Sequence, residues 1–312
     1  MVSQSATLKG AFRKNLLEKE CQNFVHEDGS ILNLTSSHLQ KNKSTKIPAI
    51  LLERFGHYIK SIGRIACGKV VGTCFLVTDE LVITNHHVYD NIKRERCQPQ
   101  NENLPIIISF DYYYPGQTEN FVDVEVDEAQ DPQIESKEVD YKLLRMKKDK
   151  RLENRDQLGA LIRGRPLQER QIVIIGHPEG KQLHHETCVV VSDHSISETL
   201  NQRYKMISGD PVSDQKSKEF YEEYKESLSY DTSLFSGASG SPIFDMDGYI
   251  VAMHSKGHTL KNLADGKTYS LMEFAVPFDM ICKDLERTKD ENFVKEIFPH
   301  YDLDLREVPM DH

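Results

Sequence analysis

Long apolar runs are missing from this sequence of 312 residues. No stretch approaches the roughly 18 to 20 apolar residues that a membrane-spanning helix needs, and residues 1–24 lack the apolar segment of a secretory signal. Internal repeats and low-complexity tracts are also missing. These absences exclude a membrane-spanning or collagen-like protein. What is left is the composition of an ordinary globular chain, 38% hydrophobic and 28% charged.

Basic residues and cysteines are both scarce. The chain has 39 Lys and Arg residues and 49 Asp and Glu residues, which gives a net charge of −10. This charge argues against nucleic-acid binding through bulk charge, although it leaves room for a local basic patch. The chain has six cysteines. Without a secretory signal they are expected to be reduced thiols in a cytosolic or nuclear protein.

One group of side chains offers a weak indication of a metal site. His184, His185 and Cys188, with His177 and His194 nearby, are residue types that bind zinc. The spacing His-His-x-x-Cys matches no standard zinc pattern, and neighbouring side chains of a strand point to opposite faces. Ordinary sheet or loop residues are therefore favoured, and we expect no metal and no organic cofactor.

The first part of the chain divides into a polar leader and a helix. Residues 1–45 are polar and aperiodic, which is typical of a flexible leader, and Pro48 then opens a helical pattern over 48–62. The periodicity does not say what the apolar stripe of this helix faces. Packing on its own domain is favoured, and pairing with a second copy in a homodimer remains the alternative. The stripe consists of Ile50, Leu51, Phe55, Tyr58, Ile59 and Ile62.

From Gly63 onward the sequence consists of short β-type runs separated by Gly, Pro, Asp and Asn turns. This rhythm predicts an all-β barrel or sandwich rather than alternating βαβ units. A charged insert at 213–229 is predicted to be a solvated loop or short surface helix, and 283–312 a helix followed by an acidic tail. The predicted strands include 73–77, 81–84, 105–110, 121–126, 141–146, 171–175, 187–191, 242–244, 249–253 and 273–276.

A serine lies between glycines just before one of these strands, in Gly237-Ala238-Ser239-Gly240-Ser241-Pro242. Glycines let the backbone bend sharply, which exposes the hydroxyl and directs nearby amide hydrogens into a cleft. Taken alone, the same letters also fit a hairpin turn.

A histidine occurs in an equally suggestive place. The run Gly72-Thr73-Cys74-Phe75-Leu76-Val77 predicts a strand, and after a turn the chain continues as Leu81-Val82-Ile83-Thr84-Asn85-His86-His87-Val88. A histidine held at the end of a strand can act as a general base.

Taken in order, these segments resemble the trypsin-like, double-barrel serine proteases of the intracellular, disulfide-free branch. The resemblance implies two six-stranded antiparallel β-barrels, with an N-terminal helix and a C-terminal helix. The first barrel would span about 63–130 and the second about 138–280, inside a protease domain of 46–290, with an acidic tail over 291–312.

The same resemblance implies the roles of three residues. His87 would be the general base, with His86 as its neighbour, and Ser239 the nucleophile, with Ser241 the weaker alternative. Asp140 would orient the imidazole, because Asp140-Tyr141-Lys142-Leu143-Leu144 has the aliphatic pair that follows the family's acid. Four other acids lie between the histidine and the serine and lack that pair: Asp111, Asp123, Asp127 and Asp131.

Substrate contacts follow by resemblance as well. The backbone N–H groups of Gly237 and Ser239 would form the oxyanion hole. Ser233 would form the floor of the specificity pocket, and residues 253–257 its wall. A neutral floor suggests apolar or aromatic residues before the scissile bond. The wall residues singled out are Met253, His254 and Ser255.

Within the intracellular branch, the chain is most similar to the vertebrate family-with-sequence-similarity-111 proteases. The shared segments are 61–65, 84–88, 174–180 and 230–242. This resemblance implies a nuclear, or else cytoplasmic, serine endopeptidase that acts on proteins near replicating DNA, with DNA or chromatin association and no membrane partner. The alternative is a catalytically inactive protease-fold module that binds peptides or partners in its cleft.

Overall fold

The structure is a computed structural model that describes residues 47–164, 171–191, 195–208, 222, 225–232, 237–261 and 268–301. The predicted leader at 1–45 and most of the predicted insert at 213–229 lie outside these residues. Within the described part of the chain, no helix combines the length and the apolar character needed to cross a membrane.

Strands outnumber helices in the described chain. The five helices are α1 Ile50–Tyr58, α2 His86–Arg96, α3 Ile196–Ser208, α4 Phe278–Thr288 and α5 Glu291–Ile297. The first seven strands are β1 Ile62–Cys67, β2 Val70–Leu76, β3 Leu81–Thr84, β4 Ile107–Phe110, β5 Val122–Glu125, β6 Ile134–Ser136 and β7 Tyr141–Arg145. The remaining strands are β8 Gln171–Gly176, β9 His184–Val189, β10 Leu228–Tyr230, β11 Pro242–Phe244, β12 Ile250–Lys261 and β13 Thr268–Pro277.

The first sheet has seven strands in the order β5-β4-β1-β2-β3-β7-β6. All its neighbouring strands are antiparallel. An isolated bridge between Val126 and Met146 joins the chain after β5 to the chain after β7. The sheet therefore curls back on itself, and the three-residue strand β6 pairs only with the outer side of β7.

The second sheet has six strands in the order β10-β13-β12-β11-β8-β9, and it is antiparallel throughout. A bridge between Val190 and Tyr230 brings its two edges together. The long hairpin of β12 and β13 forms its centre, and this hairpin carries several of the predicted site residues.

The core is divided by the alternation of side chains along the strands. In β2, Cys74 and Leu76 point into an apolar cluster enclosed by the first sheet, whereas Phe75, on the opposite face, points into a larger apolar cluster. That larger cluster joins side chains of both sheets to helices α1, α4 and α5. The two sheets consequently share one buried layer, which fixes the position of one sheet against the other.

The predicted fold class is confirmed: the protein is mainly β, with two antiparallel sheets and helices near both ends of the described chain. The first sheet has seven strands rather than six, and it includes β6 and β7, although the first barrel was predicted to end at about 130 and the second to begin at about 138. The predicted helix over 48–62 is shorter. It ends at Tyr58 and a 3₁₀ turn follows, because Ile62 is extended and pairs with Phe75.

Two helices in the middle of the chain were missed. Helix α2 is polar overall, but Val88, Ile92 and Glu95 form a buried stripe at helical spacing. Helix α3 buries Ile196 and Leu200 against β13. Both helices contribute only a few apolar residues, so their periodicity is weak in the sequence.

The acidic end of the chain differs from its prediction. Residues 291–297, expected to begin a loose tail, form helix α5, because Val294 and Ile297 are buried in the shared apolar layer. The last residues, 302–312, lie outside the described chain. In the charged insert, the structure describes β10, which begins at Leu228 and is fully buried.

The stripe of helix α1 packs on its own domain through Leu51 and Phe55, whereas Ile50, at its start, is exposed. Leu51 is fully buried, and the Phe55 ring is 7% exposed, with its centroid 5.2 Å from that of Phe244. Phe55→Ala should therefore lower the free energy of unfolding by about 3–5 kcal/mol, because it leaves a cavity in the shared layer. Urea denaturation measures this loss.

Leu52→Ala on the same helix is the control, since Leu52 is 62% exposed. It should change the stability by less than about 0.5 kcal/mol. An equal loss in both variants would contradict the packing of α1 on its own domain.

Candidate active site

The turn around Ser239 depends on glycine. Gly237 and Gly240 have φ of +88° and +89°, a region that other residues rarely adopt. A Cβ on Gly240 would lie 2.0 Å from the carbonyl oxygen of Thr73. Inside the turn, the Ser241 amide and hydroxyl both donate to the Ala238 carbonyl, at 2.9 Å and 2.5 Å. The turn is thereby held in one shape directly before β11.

Thr73 connects this turn to the first sheet. Its amide donates to the Ser239 carbonyl at 2.8 Å, and its hydroxyl donates to the Gly237 carbonyl at 3.1 Å. The same hydroxyl accepts from the His177 amide at 2.9 Å. The Thr73 side chain is fully buried, so these bonds are shielded from water. Strand β2 therefore sets the distance between the serine turn and the first sheet.

His87 and Asp140 meet beside the first sheet, close to the ends of β3 and β7. Asn85 ends the extended chain after β3, and α2 begins at the next residue, which places His87 in the first turn of the helix. Asp140 directly precedes β7 with φ of +60°. The ring Nδ1 of His87 lies 2.8 Å from Asp140 Oδ2, and the His87 amide donates to Asp140 Oδ1 at 3.0 Å. The Asn85 side-chain amide also donates to the Asp140 carbonyl, at 3.1 Å.

The surroundings of Asp140 favour its ionised form. Burial alone would raise the pKa of this carboxyl, but hydrogen bonds from the His87 ring, Ser255 and the His87 amide outweigh it and hold the pKa below its usual value. Asp140 therefore stays a carboxylate and an acceptor, which fixes the ring proton of His87 on Nδ1 and leaves Nε2 free to accept a proton.

Ser255 connects the two sheets at this point. Its hydroxyl donates to Asp140 Oδ2 at 2.5 Å, and its carbonyl accepts a hydrogen bond from the Ser239 hydroxyl at 2.9 Å. From the sequence, Ser255 was predicted only as a pocket residue. Nothing in the residues around it indicated that it contacts both Asp140 and Ser239. Within the described chain, the Ser239 hydroxyl is hydrogen-bonded to Ser255 and not to His87.

The predicted oxyanion donors lie at the serine turn. A Cβ on Gly237 would lie 2.7 Å from the Glu179 amide nitrogen and 2.8 Å from that of Gly180. The turn after β8 therefore packs directly on Gly237, and only glycine fits there. Residues 233–236, which precede it, lie outside the described chain, so the oxyanion role of the two amides stays a prediction.

The predicted pocket residues are separated in the structure. Ser233 lies outside the described residues. Met253 is fully buried in the shared apolar layer, so its side chain belongs to the core rather than to a pocket wall. His254 is 3% exposed and shares a short hydrogen bond with the Tyr230 hydroxyl inside the second sheet. Burial lowers the pKa of His254 to about 3, so the ring is neutral.

A cavity of about 610 Å³ opens beside His87, Asp140 and Ser255. Its lining also includes residues 274–276 of β13 and Met280 of α4. Its rim carries charges of both signs, from Lys137, Glu138, Glu222, Lys225, Glu226 and Lys256. A cleft of this size next to the histidine falls in the range of ligand-binding pockets.

The histidines and cysteine of the possible metal site do not converge. Cys188 is buried inside the second sheet, whereas His185 on the same strand is exposed. The ring Nδ1 of His184 donates to the Gln182 carbonyl at 2.7 Å. His194 lies outside the described residues. Among the residues that the structure describes, no three His, Cys, Asp or Glu side chains are placed to hold a metal ion.

The serine turn should not tolerate a Cβ at Gly240. We expect Gly240→Ala to destabilise the protein by at least about 2 kcal/mol, because alanine is strained at this φ and its Cβ would overlap the Thr73 carbonyl. Thermal unfolding measures the loss.

Gly56→Ala in helix α1 is the matched control. A Cβ there meets nothing within 4 Å, so the change should stabilise the helix by about 0.5–1 kcal/mol. A melting temperature of Gly240→Ala at or above the wild-type value would mean that the turn has a different backbone.

Residues 72–253 match the family model described as a trypsin-like peptidase domain. Over 95% of its length the chain is 26% identical to the mouse "Serine protease FAM111A", and over 83% it is 23% identical to the human "Serine protease FAM111B". The aligned parts cover 50% and 36% of these relatives, so the chain spans half or less of their length. Among solved structures, a serine endoprotease from Yersinia pestis is similar with a TM-score of 0.46 and 13% identity, over 79% of this chain and 69% of that one.

Proposed function

The chain belongs to the trypsin-like peptidase domain family, and on that premise we propose that it is a serine-type endopeptidase that cleaves peptide bonds through Ser239, His87 and Asp140. The observation that carries the assignment is the hydrogen-bonded connection from His87 through Asp140 and Ser255 to Ser239. It links, through Ser255, residues of the three types that the family's triad uses.

In the proposed reaction, the Ser239 hydroxyl attacks the scissile carbonyl while His87 Nε2 takes its proton. The resulting imidazolium, stabilised by the bond from Asp140 to Nδ1, gives the proton to the leaving amine as the C–N bond breaks. A water molecule, activated by His87 in the same way, then hydrolyses the acyl-enzyme and restores the Ser239 hydroxyl. The amides of Gly237 and Ser239 would donate to the developing oxyanion. Before attack, the Ser239 hydroxyl must rotate away from the Ser255 carbonyl and towards His87.

For the substrate, we propose proteins or peptides with an apolar or aromatic residue before the scissile bond. The residue at the predicted floor position is Ser233, which carries no charge, and this supports the preference. The cavity beside His87 would receive the residues further upstream.

The cellular role is proposed from the family-with-sequence-similarity-111 resemblance alone. We propose a nuclear protease that works near replicating DNA, associates with DNA or chromatin, and removes protein obstacles there. A homodimer through the 48–62 region would have to use the outer side of α1, where Ile50 and Leu52 are exposed, because Leu51 and Phe55 are buried within the domain.

One observation favours the second candidate function, an inactive module that binds peptides in the cleft. The Ser239 hydroxyl is occupied by the Ser255 carbonyl rather than by His87. A fluorophosphonate probe separates the two functions, because it reacts only with a serine that a base activates.

We expect wild-type protein to be labelled at Ser239, and His87→Ala and Ser239→Ala to abolish both labelling and peptide cleavage. His86→Ala is the control and should keep both, since the hydrogen bonds to Asp140 come from His87. Folded wild-type protein that is never labelled would favour the inactive module. Labelling that survives in Ser239→Ala would refute the nucleophile.

Asp140→Asn tests the acid separately. The side chain keeps its shape, but an amide can donate to His87 Nδ1 and so favour the wrong tautomer, and kcat should fall about 10⁴-fold. Steady-state kinetics on a peptide substrate measures this. The matched change is Asp131→Asn, at an acid that pairs with Lys142, and it should leave kcat within about tenfold of the wild-type value. A larger loss of kcat in Asp131→Asn than in Asp140→Asn would identify a different acid.

A further inference from the structure

Strand β13, next to the strand that carries Ser255, contains a buried carboxyl group. Glu273 on β13 pairs in register with Gly257 on β12 and with Tyr230 on β10. Its side chain is only 4% exposed. Gly257 follows Ser255 by two residues, and Ser255 is the residue that contacts both Asp140 and Ser239.

The carboxyl group occupies the space that a side chain at Gly257 would take. A Cβ built on Gly257 would lie 2.3 Å from both carboxyl oxygens of Glu273. The missing side chain at 257 therefore opens a space beside the strand, and Glu273 reaches into it from across the hairpin. Gly257 belongs to the 253–257 segment, the proposed wall of the specificity pocket.

Few partners satisfy this carboxyl group among the described residues. The Ser270 hydroxyl donates to Oε1 at 2.6 Å. His254 Nε2 lies 4.0 Å from Oε2, and its ring is neutral. No described lysine or arginine forms an ion pair with it. A carboxyl group buried with one close donor is costly, and it gains from a further hydrogen-bond partner.

The charged and titratable groups around Glu273 reinforce its protonation. On β12 the facing group is the neutral His254, and on β10 it is the Tyr230 hydroxyl. Asp231, directly after β10, adds repulsion, although Arg203 of α3 pairs with it. Burial first, and then Asp231, raise the pKa of Glu273 to about 7 against the opposing bond from Ser270.

We propose that Glu273 is a specificity-determining residue that selects, before the scissile bond, a side chain ending in a hydrogen-bond donor. A neutral carboxyl group accepts from a tyrosine hydroxyl, and an ionised one also pairs with a lysine ammonium group. Phenylalanine offers neither interaction and would leave the buried carboxyl group without its additional partner. This inference rests on the proposed function and sharpens its aromatic preference towards tyrosine.

The first experiment compares peptides that differ only in Tyr or Phe before the scissile bond. Wild-type protein should cleave the Tyr peptide with about tenfold higher kcat/KM. Glu273→Gln keeps an acceptor of the same shape and should keep most of this ratio, whereas Glu273→Leu removes the acceptor and should bring the ratio near one. A ratio that is the same in all three proteins overturns the inference while Ser239-dependent cleavage still supports the proposed function.

The second experiment does not depend on the folding of Glu273→Leu. The ratio of kcat/KM for Lys and Phe peptides is measured from pH 5.5 to 9, and pH effects on the catalytic groups cancel in this ratio because both substrates need the same groups. The Glu273 carboxyl group is neutral below about pH 7 and ionised above it. Because only the ionised form pairs with the lysine ammonium group, the Lys/Phe ratio of the wild-type protein should increase about tenfold as the pH is raised through 7. In Glu273→Gln the ratio should stay flat. A flat wild-type ratio overturns the inference, and wild-type protein that cleaves no peptide and takes no fluorophosphonate overturns the proposed function with it.

Discussion

The Asp140 carboxylate is the point at which the two sheets and the candidate chemistry meet. It accepts hydrogen bonds from the ring and the amide of His87, in the helix that follows β3 of the first sheet, and from Ser255 on β12 of the second. A carboxylate can accept several such bonds, and each one favours its charged form. The same bonds that keep Asp140 ionised therefore also hold the His87 ring in one orientation. Thr73 provides the second link, from β2 to the turn itself.

The local parts of the site could be read from the sequence, whereas its long-range contacts could not. The strand at 242–244 has the predicted bounds, and the glycines beside Ser239 have the positive φ that the turn requires. The roles of Thr73 and Ser255 were missed because their partners lie 164 and 115 residues away along the chain. Glu273 looked like an ordinary strand residue, since its meaning depends on the register of β12 with β13, and a period of two does not determine that register. The short strand β6 and the polar helix α2 had too few apolar residues to give a pattern.

Strand β12 provides the contacts of both the Ser239 hydroxyl and the Glu273 carboxyl group. The carbonyl of Ser255 receives the serine hydroxyl, and the glycine two residues later leaves the space that the glutamate enters. A peptide that binds along this strand would meet both groups together. It would compete for the backbone of β12 and would bring its own side chain to the carboxyl group. Substrate binding and the rotation of Ser239 towards His87 would thus be coupled through one segment of backbone.

The most direct test of the central claim is a crystal structure of the protein after reaction with a peptidyl phosphonate. The account predicts phosphorus bonded to Ser239 Oγ, the bond from Ser239 to the Ser255 carbonyl broken, and the His87 ring still held by Asp140 through Nδ1. A phosphoryl oxygen should lie within hydrogen-bond distance of the Gly237 and Ser239 amides. Phosphorus on another side chain, or a His87 ring turned away from Asp140 in the adduct, would contradict it.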